Sequence, residues 1–213
     1  ACQTHKALLK LHDGEAVETV LIPMRGPRGR GEEGSAAPPV STTLCVSSQV
    51  GCLMACKFCA TGAMGRRRSL STAEILAQVF EGTALARAHH LPPIRNICFM
   101  GQGEPLDNAD AVEEALGAMT DQQRFRFAPR RITVSTVGPS PTAIRRMEAW
   151  PARLAWSLHA ADNELRKQLV PSARHSVEEL RDAFVEVLAG RCGPNEQLQQ
   201  PRGRNSRSLL MEV

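Results

Sequence analysis

Thr42-Thr43-Leu44-Cys45-Val46-Ser47-Ser48-Gln49-Val50-Gly51-Cys52-Leu53-Met54-Ala55-Cys56-Lys57-Phe58-Cys59 runs from a β-branched segment straight into three cysteines spaced C-x3-C-x2-C. The run at 42–47 reads as a strand, and the cysteine loop hangs from its carboxyl end. Downstream the same unit repeats. Ser71-Thr72-Ala73-Glu74 is a capping box opening a helix whose Ile75, Leu76, Val79 and Phe80 share one face. Residues 94–100 read as a second strand, followed by a Gly-rich turn and a helix over about 109–119. Residues 131–136 form a third strand, and a short helix carrying Ile144 and Met147 ends before Pro151. Residues 153–158 form a fourth strand, and the capping box Ser176-Val177-Glu178-Glu179 opens a helix that Gly190 can terminate.

Strand and helix alternating four times predict an α/β fold on a parallel sheet with right-handed crossovers. Ligands gather at the carboxyl ends of such strands. Segments 52–59, 101–105, 135–136 and 157–159 all fall there, so four loops are expected to converge on one rim. Upstream, residues 8–11 and 17–22 flank His12-Asp13-Gly14-Glu15 as a β-hairpin, making 1–24 an amino-terminal extension. Residues 25–41 are a Gly/Pro/Arg-rich loop that could touch RNA phosphate and reads first as a solvated linker. The core spans 42–190. Residues 191–213 are polar, without clear period, and expected to be disordered.

Composition bounds the alternatives. A chain of 213 residues suits one domain, and 42% hydrophobic with 23% charged residues excludes wholesale disorder. A net charge of +4 permits a nucleic-acid partner without arguing for one. No Tyr, two Trp and six Phe make base stacking a weak theme. Seven cysteines are an odd number, against a fully paired disulfide framework. No stretch approaches the ~20 apolar residues of a membrane span and no signal peptide opens the chain. We therefore expect a soluble monomer without a membrane partner, cytoplasmic, or organellar if a transit peptide precedes it.

Three thiolates on one tight loop can each hold one iron of a four-iron cluster and leave the fourth iron open to a small chelating molecule. A structural zinc site is the first alternative, although a second paired arm is lacking. A disulfide set needs an oxidising compartment. Inert buried thiols would not bunch on a Gly-flanked loop.

The C-x3-C-x2-C spacing with Phe58 before its last cysteine resembles the radical S-adenosylmethionine (SAM) superfamily. Residues 43–52 narrow the resemblance to the RlmN/Cfr-type adenine-C2 RNA methyltransferases. Residues 17–23, 99–106 (Phe99 to Leu106, containing Gly101-Gln102-Gly103-Glu104-Pro105), 132–136 and 157–160 carry further matching strings in order, over about 14–190. The resemblance implies a partial (β/α) barrel of the radical SAM type, incomplete at about four βα units and preceded by the hairpin.

Carried over residue by residue, it implies that Cys52, Cys56 and Cys59 ligate a 4Fe–4S cluster. SAM would chelate the open iron and be cleaved by one electron from a flavodoxin- or ferredoxin-type donor. Gly103 and Glu104 would hold the SAM amino group, Ser135 its ribose or carboxylate, and Ser157, Leu158 and His159 would line the same cofactor. Taken alone, Gly103-Glu104-Pro105 is an ordinary βα turn, and a serine at a strand end is usually a cap. Glu18 matches the general base that removes the adenine C2 proton, a role burial would favour by raising its pKa. Cys45 matches the cysteine that resolves the covalent protein–RNA adduct. Cys98 is expected to be a buried small hydrophobe, and Cys2 and Cys192 have no role. Ribosomal or transfer RNA would be contacted by Arg66-Arg67-Arg68 and by Arg124, Arg126, Arg130 and Arg131, or these form solvated faces.

The family pattern continues beyond what is matched here, with further βα units, an Asn contacting SAM and a methyl-carrying cysteine; an amino-terminal helical domain is likewise unmatched. The expectation is thus a chain truncated at both ends that binds the cluster and SAM yet does not methylate adenine alone. The alternatives are a non-catalytic iron–sulfur or zinc RNA-binding module and a different radical SAM activity.

Overall fold

The computed structural model describes residues 3–26, 39–191 and 209–212. An amino-terminal hairpin of β1 (His5–Lys10) and β2 (Ala16–Arg25) leads into β3 (Pro39–Val46). After β3 come β4 (Gln49–Gly51), the cysteine loop, α1 (Ala60–Ala63), β5 (Arg66–Ser69) and α2 (Thr72–Ala88). Then follow β6 (Ile94–Phe99), α3 (Ala109–Thr120), β7 (Ile132–Thr136), α4 (Pro141–Arg145), β8 (Arg153–Ser157), α5 (Asn163–Leu169), α6 (Val177–Arg191) and β9 (Leu209–Glu212). Seven strands form one sheet in the order β1-β2-β3-β6-β7-β8-β9, while β4 and β5 pair separately. The first two junctions are antiparallel and those from β3 onward parallel. The result is the expected α/β partial barrel of four principal βα units.

Alternation along each strand divides the sheet into two faces. Val17 and Leu21 of β2, Leu44 and Val46 of β3, Ile97 and Phe99 of β6, and Val134 of β7 are buried in the main core. There they meet Ile75 and Val79 of α2, Val112 and Leu116 of α3, and Leu180 and Phe184 of α6. The opposite face of the sheet carries Thr43, Asn96, Cys98, Thr133 and Arg153, which line a cavity of about 480 Å³. Among the described residues, no helix is long and apolar enough to cross a membrane.

A buried glutamine joins the hairpin to the first βα unit. Gln78 Oε1 accepts from Thr19 Oγ1 at 2.9 Å and from Ser47 N at 2.8 Å, while its Nε2 donates to Ser47 O at 2.9 Å. With no exposure, Gln78 must satisfy both ends of its amide, and this arrangement uses β2, β3 and α2 together. The hairpin is therefore continuous with the main sheet.

Several expectations are corrected. The strands reach into the stretch read as a loop at 25–41, because β2 continues through Arg25 and β3 begins at Pro39; residues 27–38 lie outside the described ones. The carboxyl-terminal tail, expected to be disordered, contributes β9, which pairs in parallel with β8 and occupies its outer edge. Phe80 stands 68% exposed, and small or polar Gly82 and Gln78 share the buried face of α2 with Ile75 and Val79. Gly190 lies inside α6, one residue before its end. Both capping boxes form: Ser71 with Glu74, and Ser176 with Glu179.

The arginines after the cysteine loop are also engaged differently from the RNA-facing role expected of them. Arg68 donates to Asp13 at 2.6 Å and makes a two-pronged pair with Glu74 at 2.8 Å on both prongs, and Arg67 reaches Glu15 at 2.7 Å. These pairs staple the β1–β2 turn to β5 and to the start of α2. The Arg68 guanidinium holds Glu74 down at about 2. A carboxyl lowered from 4.5 stabilises the fold above pH 4.5 and loses that contribution as pH falls through about 2. Replacing Arg68→Ala should destabilise the chain by ~1–2 kcal/mol at neutral pH, after allowing for solvent screening. Urea denaturation should show this difference shrinking as pH drops below 4.5.

Candidate active site

The cysteine loop is held at both ends and in its middle. Gly51 sits at φ +74, and a side chain there would run into the carbonyl of Gly65, so the turn into the loop requires glycine. Cys52 N donates to Gly65 O at 3.2 Å, Lys57 N to Leu169 O of α5 at 2.9 Å, and Ser172 Oγ to Met54 O at 2.8 Å. Cys59 is the residue before α1, and its amide donates to Cys56 O at 3.1 Å. The β4–β5 pair closes the base of the loop.

Opposite it stands the turn after β6. Gly103 has φ +100, and a side chain there would press within 2.6 Å of Gln49 Cβ. Gln49 Oε1 accepts from Glu104 N at 3.0 Å, locking this turn to β4. The Glu104 carboxylate is 3% exposed and accepts from Thr136 Oγ1 at 2.6 Å, Leu106 N at 3.0 Å and Val137 N at 2.9 Å. Three donors leave one of about four lone-pair sites for an outside donor. Burial outweighs those donors and pushes its pKa up to about 7.

The third wall comes from the ends of β7 and β8. Ser135 Oγ and Ser157 Oγ share a hydrogen bond of 2.7 Å across these neighbouring strands. His159 sits in the left-handed region at φ 65 and meets the edge of Phe58 with ring centroids 4.8 Å apart. Cys52, Cys56, Cys59, Gly103, Glu104, Ser135, Ser157 and His159 all line one cavity of about 260 Å³.

Three of the sequence-predicted residues stand elsewhere. Leu158 turns its side chain into the main core and leaves only its backbone near the rim. Cys45 is buried on β3, in register with Cys98 of β6. Glu18 is half-exposed on β2 and paired with Lys6 at 2.6 Å, away from the cavity and without the burial expected of it. Cys98, expected to be a buried hydrophobe, is only partly buried and opens on the other cavity. Cys2 and Cys192 lie outside the described residues.

Sequence reading missed Arg166. Only 2% exposed, it donates Nη2 to Val137 O at 2.6 Å and Nε to Leu158 O at 3.2 Å, clamping the chain exits of β7 and β8. Its charge also acts on Cys56 across the cysteine loop. In Asn163-Glu164-Leu165-Arg166-Lys167 it looks like one more solvated helix charge. Thr136 and the Val137 amide, which anchor Glu104, were likewise invisible as partners.

The donor set fits a cluster with one open iron. Burial pushes Cys52 up to about 11 and raises Cys56, so these thiols are not poised as free nucleophiles; a metal supplies the positive charge that thiolates need. Among the described residues, no three His, Cys, Asp or Glu side chains converge as a single metal ion requires. Three thiols of one loop lining one cavity offer one ligand each to three irons of a polynuclear cluster. Beside them, the buried Glu104 carboxylate with its spare lone pair fits the ammonium of an amino acid, and the serine pair fits a hydroxyl or carboxylate.

Such a constellation at the carboxyl ends of a parallel half-barrel defines a class of protein. The chain belongs to the radical SAM superfamily, which its residues 46–189 match. More narrowly, it is 45% identical over 187 residues to the dual-specificity RNA methyltransferase RlmN of Oleidesulfovibrio alaskensis, covering 87% of this chain and 48% of that one. It is 41% identical over 191 residues to a probable dual-specificity RNA methyltransferase RlmN of Akkermansia muciniphila, covering 88% and 50%. The crystal structure of a radical SAM methyltransferase from Sphaerobacter thermophilus matches with a TM-score of 0.75 at 36% identity, over 89% of this chain and 52% of that one. The chain spans about half the length of these relatives. Superfamily membership brings with it a 4Fe–4S cluster and SAM as cofactors.

Two outcomes test the geometry. Glu104 binds its proton more tightly when folded, so its contribution to stability is full below pH 4.5 and lost as pH rises through about 7. That loss amounts to at most ~3 kcal/mol. In the cofactor-free chain, Glu104→Gln should flatten the fall of stability between these pH values, with the slope rather than the level as readout. Arg166→Leu leaves two buried carbonyls without donors and should cost about 2–4 kcal/mol in urea denaturation.

Proposed function

We propose that this chain forms the cluster- and SAM-binding part of a radical SAM RNA methyltransferase that methylates C2 of adenine in ribosomal RNA, transfer RNA or both. One observation carries the reading: three cysteines of a single loop share a cavity with Glu104 from the turn after β6, Ser135 from the end of β7, and Ser157 and His159 from the end of β8 and its following turn. The names and identities of the relatives support the RNA substrate and the methyl transfer.

Cys52, Cys56 and Cys59 would hold the cluster. When bound, cluster and SAM supply the one-electron chemistry by which an unreactive aromatic carbon is activated. The chain's own residues do the rest. Glu104 would offer its spare lone pair to the SAM ammonium and would be kept ionised beside it, where burial alone favours the acid. Ser135 and Ser157 present paired hydroxyls that can each give or take a hydrogen bond. Phe58 and His159, in edge-on ring contact, line the same cavity and add apolar surface to its wall. Glu18 would take the C2 proton once substrate displaces Lys6 or covers the pair, and Cys45 would resolve the protein–RNA adduct.

Arg124, Arg126, Arg130 and Arg131 are exposed and offer phosphate contacts, Arg131 while donating to Asn96 at 3.2 Å. Arg67 and Arg68 are committed to the hairpin turn and contribute less. An electron donor of flavodoxin or ferredoxin type, action as a monomer, and residence in the cytoplasm or an organelle complete the reading.

Anaerobic reconstitution of the 213-residue chain tests it. Reduction in the presence of SAM should yield 5′-deoxyadenosine, and Cys56→Ala should abolish both iron–sulfur absorbance and product. Ser135→Ala should weaken SAM binding by roughly tenfold, the effect of one lost hydrogen bond. These residues alone are expected to give no 2-methyladenosine in RNA, because none of the described ones matches the methyl-carrying cysteine. A full cluster without any 5′-deoxyadenosine would sink the catalytic reading and favour an iron–sulfur RNA-binding module.

A further inference from the structure

The face of the sheet opposite the helices holds a second arrangement of reactive groups, sharing no lining residue with the cluster cavity. Cys45 of β3 and Cys98 of β6 are register partners in a parallel pair. One rung earlier on the same face, Thr43 and Asn96 are partners and touch through Asn96 Nδ2 to Thr43 Oγ1 at 3.3 Å. Side chains at such positions therefore meet across this strand junction. Neighbouring strands run ~4.7–4.9 Å apart, inside the Cα separation of roughly 4.4–6.8 Å that a disulfide spans. The two thiols share a hydrogen bond, which holds Cys45 below its ordinary value despite burial.

The surroundings add charge. Continuing along the row, Cys98 is in register with Thr133 and Thr133 with Arg153. Cys98 opens on the cavity of about 480 Å³, where Arg130, Arg131 and Arg153 also line the wall and, among the described residues, no carboxylate does. Among the described residues, nothing accepts from the buried Arg153 Nε. Cationic walls stabilise a thiolate and attract an anionic partner.

We propose that Cys98 and Cys45 form a thiol–disulfide exchange site, and that the arginine-lined cavity admits a small disulfide bearing carboxylates. The accessible Cys98 thiolate attacks one sulfur of that disulfide; the S–S bond breaks, and the first small thiolate leaves and takes up the proton Cys98 gave. Cys45 then attacks the Cys98 sulfur and displaces the second small thiolate, which takes the Cys45 proton. The protein is oxidised from two thiols to one disulfide while the small disulfide is reduced to two thiols. Cys98 is partly exposed and lines the cavity, so a bond to it is open to attack by small thiols and belongs with reversible, regulatory disulfides and not with structural staples. Exchange at this site stands independently of the methyltransferase reading, but it would silence the thiol that reading assigns to adduct resolution.

The test uses the full chain with its cluster reconstituted anaerobically and oxidised glutathione as probe. Samples are acid-quenched, alkylated and mapped by tandem mass spectrometry, whose fragments separate Cys45 from Cys52. The expected products are a Cys45–Cys98 disulfide in the unmodified chain and a glutathione adduct on Cys98 in Cys45→Ser. Arg131→Ala should slow the reaction roughly three- to tenfold at low salt, with the difference fading at high salt and with uncharged hydroxyethyl disulfide. Cys45 and Cys98 both remaining alkylatable under conditions that oxidise the unfolded chain would overturn the proposal. So would an adduct in Cys45→Ser carried by the cluster cysteines and not by Cys98. Equal rates for Arg131→Ala at low salt would overturn entry guided by the arginines.

Discussion

Glu104 is a carboxylate buried to 3% exposure, with hydrogen-bond donors and no ion-pair partner among the described residues, and the rim of the sheet is organised around keeping it there. Moving such a group from water costs several kcal/mol unless hydrogen bonds replace its hydration. Here the replacements come from separate places in the chain: a hydroxyl at the end of β7, the amide just beyond it, and an amide of its own turn. Each donor has to arrive at a fixed point. The turn after β6 is therefore tied to β7 on one side and, through Gln49, to β4 and the base of the cysteine loop on the other. Gly103 follows from this, because only a residue without Cβ passes Gln49 so closely. A pKa raised to about 7 marks the remaining imbalance, which a ligand ammonium would correct. The site is thus built incomplete in charge, in a way that specifies the sign of what binds.

Arg166 is the complementary case. It is a buried cation that donates to backbone carbonyls at the exits of β7 and β8. It secures the two strand ends that present Ser135 and Ser157, and its charge faces the loop where three thiolates would gather. A buried carboxylate lining the cavity and a buried guanidinium behind its wall thus act on the cysteine loop with opposite sign.

What the sequence makes legible here is what short-range chemistry decides. Ser71 with Glu74 and Ser176 with Glu179 cap their helices because both partners of each box lie three residues apart. The strands at 94–99 and 132–136 are legible for the same reason, since β-branched and apolar runs bounded by turns need no distant partner. The rim residues follow from strand order, because parallel connections bring successive carboxyl ends together. Arg68 escapes this kind of reading. Its acidic partners are 55 and six residues away, and nothing within the string Arg66-Arg67-Arg68 distinguishes a staple from an exposed basic patch. Leu158 lies between Ser157 and His159 and looks like their equal, but alternation along an extended chain turns it to the other side. β9 has four residues, and its pairing with β8 spans a separation that local pattern cannot express.

The cysteines show how far environment, more than residue type, decides chemistry. Cys52 and Cys56 sit where burial dominates and where the Glu104 charge and their own neighbours add repulsion, so both thiols are held in the protonated form. Cys45 is at least as buried, yet the hydrogen bond from Cys98 outweighs its desolvation and shifts it the other way. The first pair become thiolates when a metal supplies positive charge and their protons leave. The second needs only a neighbouring sulfur on the next strand. One β3–β6 junction separates the two settings: its carboxyl end opens into the cluster cavity, and its middle carries the thiol pair on the face away from the helices. Oxidation chemistry at Cys45 and Cys98 and metal chemistry at Cys52, Cys56 and Cys59 can therefore proceed on one sheet without sharing a ligand. What passes between them is the position of β3 itself, which continues directly into the turn that carries the cysteine loop.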